Sequence, residues 1–290
     1  MSEIAQCWID GEVIPAHQAK VSVFDHGFLY GDGIFEGIRF YNKRVFRLPL
    51  HMARLKRSAR ALQLDIPLDD TAFEEAIYAT LKAFPLADGY LRVLITRGVG
   101  ALGINPANCA KPAVIIIADK LVMVGDEERN RGIRAIIAST RRMTPDRLDP
   151  RIKSLNYLNA IQAKMEANYA GVEEAILLNE RGFVTEGSAM NIFVVRDGAI
   201  YTPPATEGAL QGVTRGTVLE VAKELGIPAS ETVLTSYDLF TADECFFTGT
   251  GAKLIPIREI DGRKMGTCPG AIYLKLLAGF NALVARETAG

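Results

Sequence analysis

The sequence predicts an α/β protein built of two domains. Strand and helix patterns alternate along the chain, its 290 residues suit about two domains of roughly 150 residues each, and a charged stretch without periodicity lies near the middle. Apolar residues make up 49% of the chain, which is enough for a buried core and excludes a mostly disordered protein. We expect a small N-terminal α/β domain over residues 1–119, a linker over 120–131 and a larger C-terminal domain over 132–290.

Turn signals and periodicity predict the elements of the first domain. The pair Asp10-Gly11 predicts a tight hairpin, and Thr71 with Glu74 has the spacing of a capping box at the start of a helix. Apolar residues recurring on one face predict helices, and strict alternation predicts strands. The expected elements are a hairpin over 7–14, helices over 48–64 and from 70 onward, and strands over 89–97 and 112–118.

Glycine and proline mark the elements of the second domain. Gly226, with Pro228 beyond it, predicts the end of a helix that starts near Val213, and Asp261-Gly262 predicts another hairpin. The other expected elements are a strand over 133–140, a helix over 154–170, strands over 175–179, 183–186, 191–195 and 199–202, and a final helix from Pro269.

Composition excludes several classes of function. The 33 basic and 34 acidic side chains nearly cancel, whereas nucleic-acid-binding proteins carry a basic excess. The longest apolar run, Val114–Ala118, is too short to span a bilayer, and the first residues contain no apolar leader. The four cysteines form no CxxC pair and the three histidines have no ligand spacing. We therefore expect a cytosolic protein with reduced thiols, no metal site, no nucleic-acid partner and no membrane partner.

Two glycine-containing segments have the features of phosphate sites. Glycines also crowd the segment HGFLYGDGIFEGIRF, but their spacing is not that of a dinucleotide-binding loop. Gly212-Val213-Thr214 lies at the predicted start of a helix, where unpaired N–H groups favour anions. Thr248-Gly249-Thr250-Gly251 follows an apolar strand and can form an anion-binding nest. Each segment alone fits ordinary capping, but the two together, without a nucleotide motif, indicate a small phosphorylated cofactor.

Lys153 and Glu186 are candidate catalytic residues. Lys153 lies one residue before the predicted helix 154–170, and the positive end of a helix disfavours an ammonium group, which suits Schiff-base chemistry. The alternative is a solvated, inert lysine. Glu186 closes an apolar strand, either as an ordinary strand-end charge or as a carboxylate held beneath a heterocyclic ring.

A longer pattern surrounds Glu186 and carries a family resemblance. It comprises Glu186-Gly-Ser188, Asn191-Ile192-Phe193, Ile200, Thr202, Leu210, Gly212-Val213 and Arg215. This pattern resembles the signature of the class IV aminotransferases, the fold type IV enzymes that use pyridoxal 5′-phosphate (PLP). Further matches are YGDGIFEGIRFY (30–41), HMARL (51–55), YLR (90–92), KSLNYLN (153–159) and GTG (249–251). Within the family, FEGIR, YLR and the loop GVGALGINP most resemble the branched-chain-amino-acid aminotransferases.

The resemblance implies that PLP is the cofactor and assigns its contacts. Lys153 would form a Schiff base with PLP and then act as the acid–base group. Glu186 would pair with the pyridine nitrogen and keep it protonated. Tyr157, four residues after Lys153 on the predicted helix, would hydrogen-bond to the ring hydroxyl. The phosphate would be held by Arg54, Val213, Thr214 and Thr250.

The resemblance also assigns substrate contacts. Tyr90 and Arg92 lie two apart on a strand and so project to one face, which is either a binding face or an ordinary polar strand face. Tyr90, with the backbone N–H groups of Thr250 and Gly251, would hold the α-carboxylate. Arg92 would meet the distal carboxylate of glutamate, with Arg39 as the alternative anchor. The other implied contacts are Tyr30, Phe35, Gly37, Tyr157 and, from the loop of a partner subunit, Leu102.

The implied activity is transamination between branched-chain L-amino acids (leucine, isoleucine and valine) and 2-oxoglutarate, giving 2-oxo acids and L-glutamate. The implied assembly is a homodimer or a higher homo-oligomer. Two alternatives on the same fold are a D-amino-acid aminotransferase and an aminodeoxychorismate lyase. The loop TRGVGALG lacks the histidines of the first, and GIR with YLR disfavours the second. A catalytically silent cofactor-binding protein is a third alternative, which the presence of both Lys153 and Glu186 disfavours.

Overall fold

The computed structural model describes residues 2–121 and 125–289. It divides into two compact units. The N-terminal unit comprises Met1–Leu121, Ile152–Asn156 and Glu287–Gly290, and the C-terminal unit comprises Val122–Arg151 and Tyr157–Arg286. Residues 122–124 of the predicted linker lie outside the described residues, and Asp126–Arg131, also in that linker, form a short helix.

The N-terminal unit is a six-stranded antiparallel sheet with helices. Its hairpin at Asp10-Gly11 and its strands near 89–97 and 112–118 confirm the sequence predictions. In chain order the elements are β1 Gln6–Ile9, β2 Glu12–Pro15, α1 His26–Tyr30, β3 Gly33–Tyr41, β4 Arg44–Val45, α2 Leu48–Ala61, α3 Asp70–Ala83, β5 Gly89–Thr96 and β6 Ala113–Asp119. The strand order is β2-β1-β6-β5-β3-β4.

The core of this unit lies between one sheet face and the helices α2 and α3. Leu91, Val93 and Ile95 alternate along β5 and are fully buried, as the period of a half-buried strand requires. Leu55 of α2 and Ile77 of α3 belong to the same cluster. Tyr90, Arg92, Leu94 and Thr96 project to the opposite face, which is therefore left for other contacts.

The predicted capping box of the second helix is wrong. Helix α3 begins one residue earlier than Thr71, and Asp69 is its N-cap, accepting a hydrogen bond from the backbone N–H of Ala72 at 2.8 Å. Thr71 lies inside the first turn. Asp69, two residues before Thr71, places its carboxylate at the helix start and offers a stronger, charged acceptor than a threonine hydroxyl.

The C-terminal unit contains a nine-stranded mixed sheet. In chain order the elements are α4 Asp126–Arg131, β7 Ile133–Ile137, α5 Pro145–Leu148, α6 Leu158–Tyr169, β8 Glu174–Leu178, β9 Val184–Gly187, β10 Asn191–Arg196, β11 Ala199–Thr202, α7 Val213–Glu224, β12 Ala229–Glu231, α8 Ser236–Phe240, β13 Glu244–Gly249, β14 Lys253–Ile260, β15 Arg263–Lys264 and α9 Ala271–Thr288. The strand order is β12-β11-β10-β13-β14-β7-β8-β9, with β15 beside β14. Pairing is parallel only for β11–β12, β14–β7 and β7–β8 among the described strands.

Most predicted elements of this unit are confirmed, and the start of one helix is wrong. Helix α7 begins at Val213 and ends before Gly226, whose φ is +67°, as the stop signal requires. Helix α6 begins at Leu158, four residues later than predicted. In the described part of the chain, no helix is long and apolar enough to cross a bilayer.

Candidate active site

Lys153 lies in an extended segment that is paired with strand β3. Phe35 donates its backbone N–H to the carbonyl of Lys153 at 2.9 Å, and Leu155 donates to the carbonyl of Gly33 at 2.9 Å. The backbone N–H of Lys153 donates to the Ser58 hydroxyl at 3.1 Å. The expectation that Lys153 directly precedes a helix is therefore wrong, because these strand-like bonds take the backbone groups that a helix would use.

The aromatic ring of Phe35 lies close to the side chains of both Lys153 and Arg92. Lys153 Nζ and the Arg92 guanidinium carbon each lie 4.4 Å from the centroid of Phe35, within cation–π range. Arg92 also lies 5.7 Å from the ring of Tyr90. In the sheet register Phe35, Gly37 and Arg39 oppose Leu94, Arg92 and Tyr90. These six residues therefore share one face, as the strand pattern predicts for Tyr90 and Arg92.

Gly37 makes room for the ring of Tyr90. A Cβ atom built on Gly37 would lie 1.9 Å from the Tyr90 hydroxyl oxygen, far below any real contact distance. Its backbone conformation is ordinary, so glycine is needed here for space and not for a left-handed φ. The sequence placed Gly37 among the substrate contacts, and the structure places it against the side chain of Tyr90.

Arg39 shares the sheet face of Tyr90 but has a separate hydrogen-bond partner, and Tyr30 and Leu102 lie at the loop that follows β5. Arg39 donates to the carbonyl of Leu121 at 2.9 Å. The Tyr30 hydroxyl accepts the backbone N–H of Gly103 at 2.8 Å. Leu102, one residue before Gly103, is 70% exposed. Tyr30 thus contacts the loop that carries Leu102.

Arg54 belongs to a buried charged cluster. Its guanidinium donates from Nε and Nη2 to the two oxygens of Glu36, each at 2.7 Å, and His51 Nδ1 lies 2.7 Å from the second oxygen. Burial acts to raise the pKa of Glu36, but the charge and hydrogen bonds of Arg54 and His51 outweigh it and lower that pKa to about 2. Burial lowers the pKa of His51, so its ring is neutral near pH 7. The cluster therefore holds one arginine cation against one carboxylate.

In the C-terminal unit, Glu186 accepts three hydrogen bonds. Arg142 Nη2 donates to Oε1 at 2.5 Å, and Oε2 accepts from the Leu210 backbone N–H at 2.9 Å and from Asn191 Nδ2 at 3.2 Å. The carboxylate is buried on β9. A buried carboxylate bound by one cation and two neutral donors is held in one orientation.

Asn191 connects Glu186 to the two predicted phosphate segments. Besides Glu186, its amide donates to the carbonyl of Leu210 at 2.8 Å. A Cβ built on Gly212, the N-cap of α7, would lie 2.0 Å from Asn191 Oδ1, so Val213 and Thr214 start their helix beside this amide. Asn191 also pairs with Thr248, two residues before the turn that contains Thr250 and Gly251.

The predicted helical relation between Lys153 and Tyr157 is wrong. Tyr157 is the N-cap of α6 and belongs to the C-terminal unit, whereas Lys153 belongs to the N-terminal unit. The segment between them is not helical, so the two side chains do not share a helix face.

Four polar residues of these clusters are missed by the sequence reasoning. They are Glu36, His51, Arg142 and Asn191. Asn191 lies inside the family pattern, Glu36 lies in YGDGIFEGIRFY and His51 lies in HMARL. These motifs could therefore have pointed to the three residues. Arg142 lies in a loop without any motif, and only the fold brings it to Glu186.

Comparison with known proteins defines the class of protein. The family model for amino-transferase class IV matches residues 33–260, so the chain belongs to the class IV aminotransferases. Its relatives specify the branch of that family. A protein of Methanocaldococcus jannaschii assigned as a branched-chain-amino-acid aminotransferase is 50% identical over 256 residues, covering 88% of each chain.

Solved structures agree with that branch. The branched-chain amino acid aminotransferase of Escherichia coli is 35% identical, with a TM-score of 0.93 over 98% of this chain and 95% of that chain. The Thermobaculum terrenum branched-chain amino acid aminotransferase in its PLP form is 30% identical, with a TM-score of 0.87 over 97% and 94%. The fold type IV architecture and PLP as cofactor are thereby confirmed.

The donors present in the two units suit PLP. The N-terminal unit supplies a lysine amine and a buried arginine. The C-terminal unit supplies a buried carboxylate and the N-terminus of the 12-residue helix α7, which begins at Gly212 and has no side-chain cap among the described residues. An amine, phosphate donors and a carboxylate are complementary to the aldehyde, the phosphate and the ring nitrogen of PLP.

Proposed function

We propose that this protein transfers amino groups between branched-chain L-amino acids and 2-oxoglutarate, giving branched-chain 2-oxo acids and L-glutamate. The observation that carries the proposal is the ring of Phe35, with Lys153 Nζ and the Arg92 guanidinium carbon each 4.4 Å from its centroid. An apolar ring suits an aliphatic side chain, and a guanidinium beside it suits the distal carboxylate of glutamate. The same sheet face can thus bind the aliphatic side chain of one substrate and the distal carboxylate of the other.

Lys153 is proposed as the catalytic acid–base residue. When bound, PLP supplies an electron-accepting ring that allows the Cα–H bond of the amino acid to break. Lys153 Nζ would take the proton from the substrate Cα and hold it for transfer to the cofactor. Its backbone is fixed on both sides by bonds to β3 and by the Ser58 hydroxyl, which restricts where the amine can move.

The remaining residues are proposed to bind and orient. Glu186 would hold the proton on the pyridine nitrogen, and its three donors fix the orientation of the carboxylate. Tyr157 hydrogen-bonds to the ring hydroxyl. Tyr90 holds the α-carboxylate, with Gly37 leaving space for its ring. Arg54, Val213, Thr214 and Thr250 are the proposed phosphate donors. We further propose a cytosolic location.

The arginine that binds the distal carboxylate is proposed to be Arg92. Its guanidinium lies over Phe35 and near Tyr90, whereas the Arg39 guanidinium donates to the Leu121 carbonyl. Arg39 has therefore a structural contact that would have to break before it met a substrate. Replacement of each arginine by methionine, followed by the KM for 2-oxoglutarate, decides between them.

A panel of amino donors tests the proposed function. L-amino acids, D-amino acids and 4-aminobenzoate precursors are offered to the purified holoenzyme, and 2-oxo acid or pyruvate release is followed. We expect leucine, isoleucine and valine to be the best donors with 2-oxoglutarate. A preference for D-amino acids, or pyruvate release without amino transfer, contradicts the proposal in favour of one of the two related activities.

Lys153→Ala provides the matching residue-level test. Without the amine there is no group to move the proton, so we expect transamination to fall to the background of buffer with PLP. The visible absorption band of bound PLP should shift, because the variant cannot form a Schiff base through its side chain. Lys164→Ala, whose amine binds the Glu173 carbonyl in the C-terminal unit, is the control. Near-normal turnover by Lys153→Ala would remove this residue from catalysis.

A further inference from the structure

Arg129 of the short helix α4 binds the end of the hairpin turn that follows β13. Its Nη1 donates to the carbonyl of Ala252 at 2.7 Å and to the carbonyl of Leu254 at 3.1 Å. The Tyr273 hydroxyl donates to the same Leu254 carbonyl at 3.1 Å. Arg129 lies in the region that the sequence predicts to be only a linker, and no part of the proposed chemistry uses it.

Of the two carbonyls that Arg129 binds, that of Ala252 belongs to a tight turn and that of Leu254 to strand β14. Gly249 pairs with Lys253 in the hairpin register, so the turn consists of Thr250, Gly251 and Ala252. Ala252 is fully buried, and Lys253 has a left-handed φ of +60°. Because a peptide group is planar, fixing the carbonyl of Ala252 fixes the plane that joins Ala252 to Lys253 and restricts the turn before it.

A cation is suited to this task. A guanidinium that donates to two carbonyls makes charge-assisted bonds, which are about twice as strong as neutral ones. Removing the guanidinium would take this donor away from the Ala252 carbonyl, whereas the Leu254 carbonyl would keep the Tyr273 hydroxyl.

We propose that Arg129 is a positioning residue for the turn Thr250–Ala252 and thereby for cofactor and substrate binding. This inference rests on the proposed function in one respect: Thr250 and Gly251 are the turn residues assigned to the PLP phosphate and to the substrate α-carboxylate. Arg129 touches neither ligand. Through its hydrogen bond to the Ala252 carbonyl, it holds the backbone of the turn in which Thr250 and Gly251 donate to the ligands.

Arg129→Met tests the proposal, with Arg131→Met as the matched control. Arg131 is in the same helix, and its exposed guanidinium pairs only with the carboxylates of Glu127 and Glu128 among the described residues. The dissociation constant of PLP is measured by fluorescence titration of the apoprotein, and KM and kcat for leucine are measured on the PLP-saturated enzyme. For Arg129→Met we expect the PLP dissociation constant and the KM for leucine each to rise about tenfold. We expect kcat to change less than about threefold.

The conservative variant and thermal melting separate positioning from general stability. Arg129→Lys keeps a donor cation and should restore part of the lost affinity, whereas a purely structural residue would lower the Tm without changing PLP affinity or the KM for leucine. If Arg129→Met matches Arg131→Met in both constants, the proposal is wrong, whatever its Tm. If the wild-type protein binds PLP but does not transaminate leucine, the proposed function is wrong, but the proposal for Arg129 is still tested. The PLP dissociation constants of Arg129→Met and Arg131→Met can still be compared in that case.

Discussion

Glu186 is bound on both carboxylate oxygens, by a cation on one side and by two neutral donors on the other. This arrangement fixes the carboxylate in one orientation, in which it could bind a protonated ring nitrogen. A neutral amide of the same shape would keep the packing but not the charge. The charge, not the hydrogen bond alone, is what we expect to matter at this position.

Glu186→Gln should lower turnover while PLP still binds. With no carboxylate, the ring nitrogen is less often protonated and accepts electrons less well, whereas the phosphate donors are unchanged. We expect kcat to fall roughly a hundredfold, about 3 kcal/mol at 1.4 kcal/mol per factor of ten, and the PLP dissociation constant to change less than about threefold. Steady-state kinetics and fluorescence titration measure the two. The control is Glu180→Gln, an exposed carboxylate paired with Arg147. Unchanged kcat with intact PLP binding would show that the ring proton is not needed.

Glu36 gives a second residue-scale prediction, on stability and pH. Its pKa of about 2 in the folded protein lies below the unfolded value of 4.5. The charged cluster therefore contributes stability above pH 4.5 and loses it as the pH falls towards 2. At 1.4 kcal/mol per pKa unit the contribution is about 3 kcal/mol.

Glu36→Gln should remove that contribution and leave the Arg54 cation buried without its carboxylate. We expect the urea midpoint to fall clearly at pH 7 and the difference from wild type to shrink as the pH is lowered to 3. Urea unfolding followed by circular dichroism at several pH values checks this. Glu75→Gln, on the exposed side of α3, should behave as wild type at every pH. A difference that stays constant with pH would mean that Glu36 titrates normally.

At the scale of secondary-structure elements, local signals predict most of the fold. Asp-Gly pairs locate the hairpins at Asp10 and Asp261, alternation locates β5, and a glycine followed by proline locates the end of α7. Residues close together in sequence determine these features, so they can be predicted from short stretches of the sequence. The same holds for the glycine-containing turn after β13 and for the N-terminus of α7.

The errors occur where distant residues decide the outcome. Residues 154–157 contain no helix breaker, but Ser154 forms a bridge with Ile34, which is remote in sequence, and this pairing delays the start of α6. Arg142 reaches Glu186 across 44 positions of sequence without a motif that marks it. The chemistry of the site is thus predicted by its motifs, whereas the partners that hold the catalytic side chains are not.

Gly212 gives the element-scale prediction, for the start of α7. Its φ of −64° suits any residue, but a Cβ would lie 2.0 Å from Asn191 Oδ1, and Asn191 is held by Glu186 and by Leu210. Gly212→Ala should therefore displace the amide or the helix start and raise the PLP dissociation constant about tenfold.

Gly216→Ala in the same helix is the control for that variant. A Cβ at Gly216 meets nothing within 4 Å. Because alanine favours a helix over glycine by about 1 kcal/mol, this variant should keep its PLP affinity and gain slightly in Tm. If Gly212→Ala binds PLP as tightly as Gly216→Ala does, the N-terminus of α7 does not depend on the contact with Asn191.

At the scale of the whole molecule, the loop GVGALGINP exposes apolar side chains but is firmly held at its base. Val99, Leu102 and Ile104 are 53%, 70% and 84% exposed. The loop backbone is bound by the segment before β3: Gly100 donates to the Phe24 carbonyl at 3.2 Å, and His26 Nε2 lies 2.9 Å from the Ala101 carbonyl. An ordered loop with apolar side chains turned to solvent has the character of an interface.

We propose that this loop is covered in a homodimer and that Leu102 contacts the aliphatic side chain of a substrate bound to the partner subunit. Leu102→Asp then tests the assembly and the donor pocket together. Sedimentation should show at least a dimer for the wild type. The variant should lose more of its kcat/KM for leucine than for glutamate, because the new carboxylate lies in the path of the aliphatic group and is a poor neighbour for it.

The control is Tyr237→Asp, which changes a side chain that is also 70% exposed but lies on α8. It should keep its kcat/KM for both leucine and glutamate. A wild-type monomer that transaminates leucine at full rate would refute the shared site, and equal losses for leucine and glutamate would place Leu102 in general packing and outside the donor pocket.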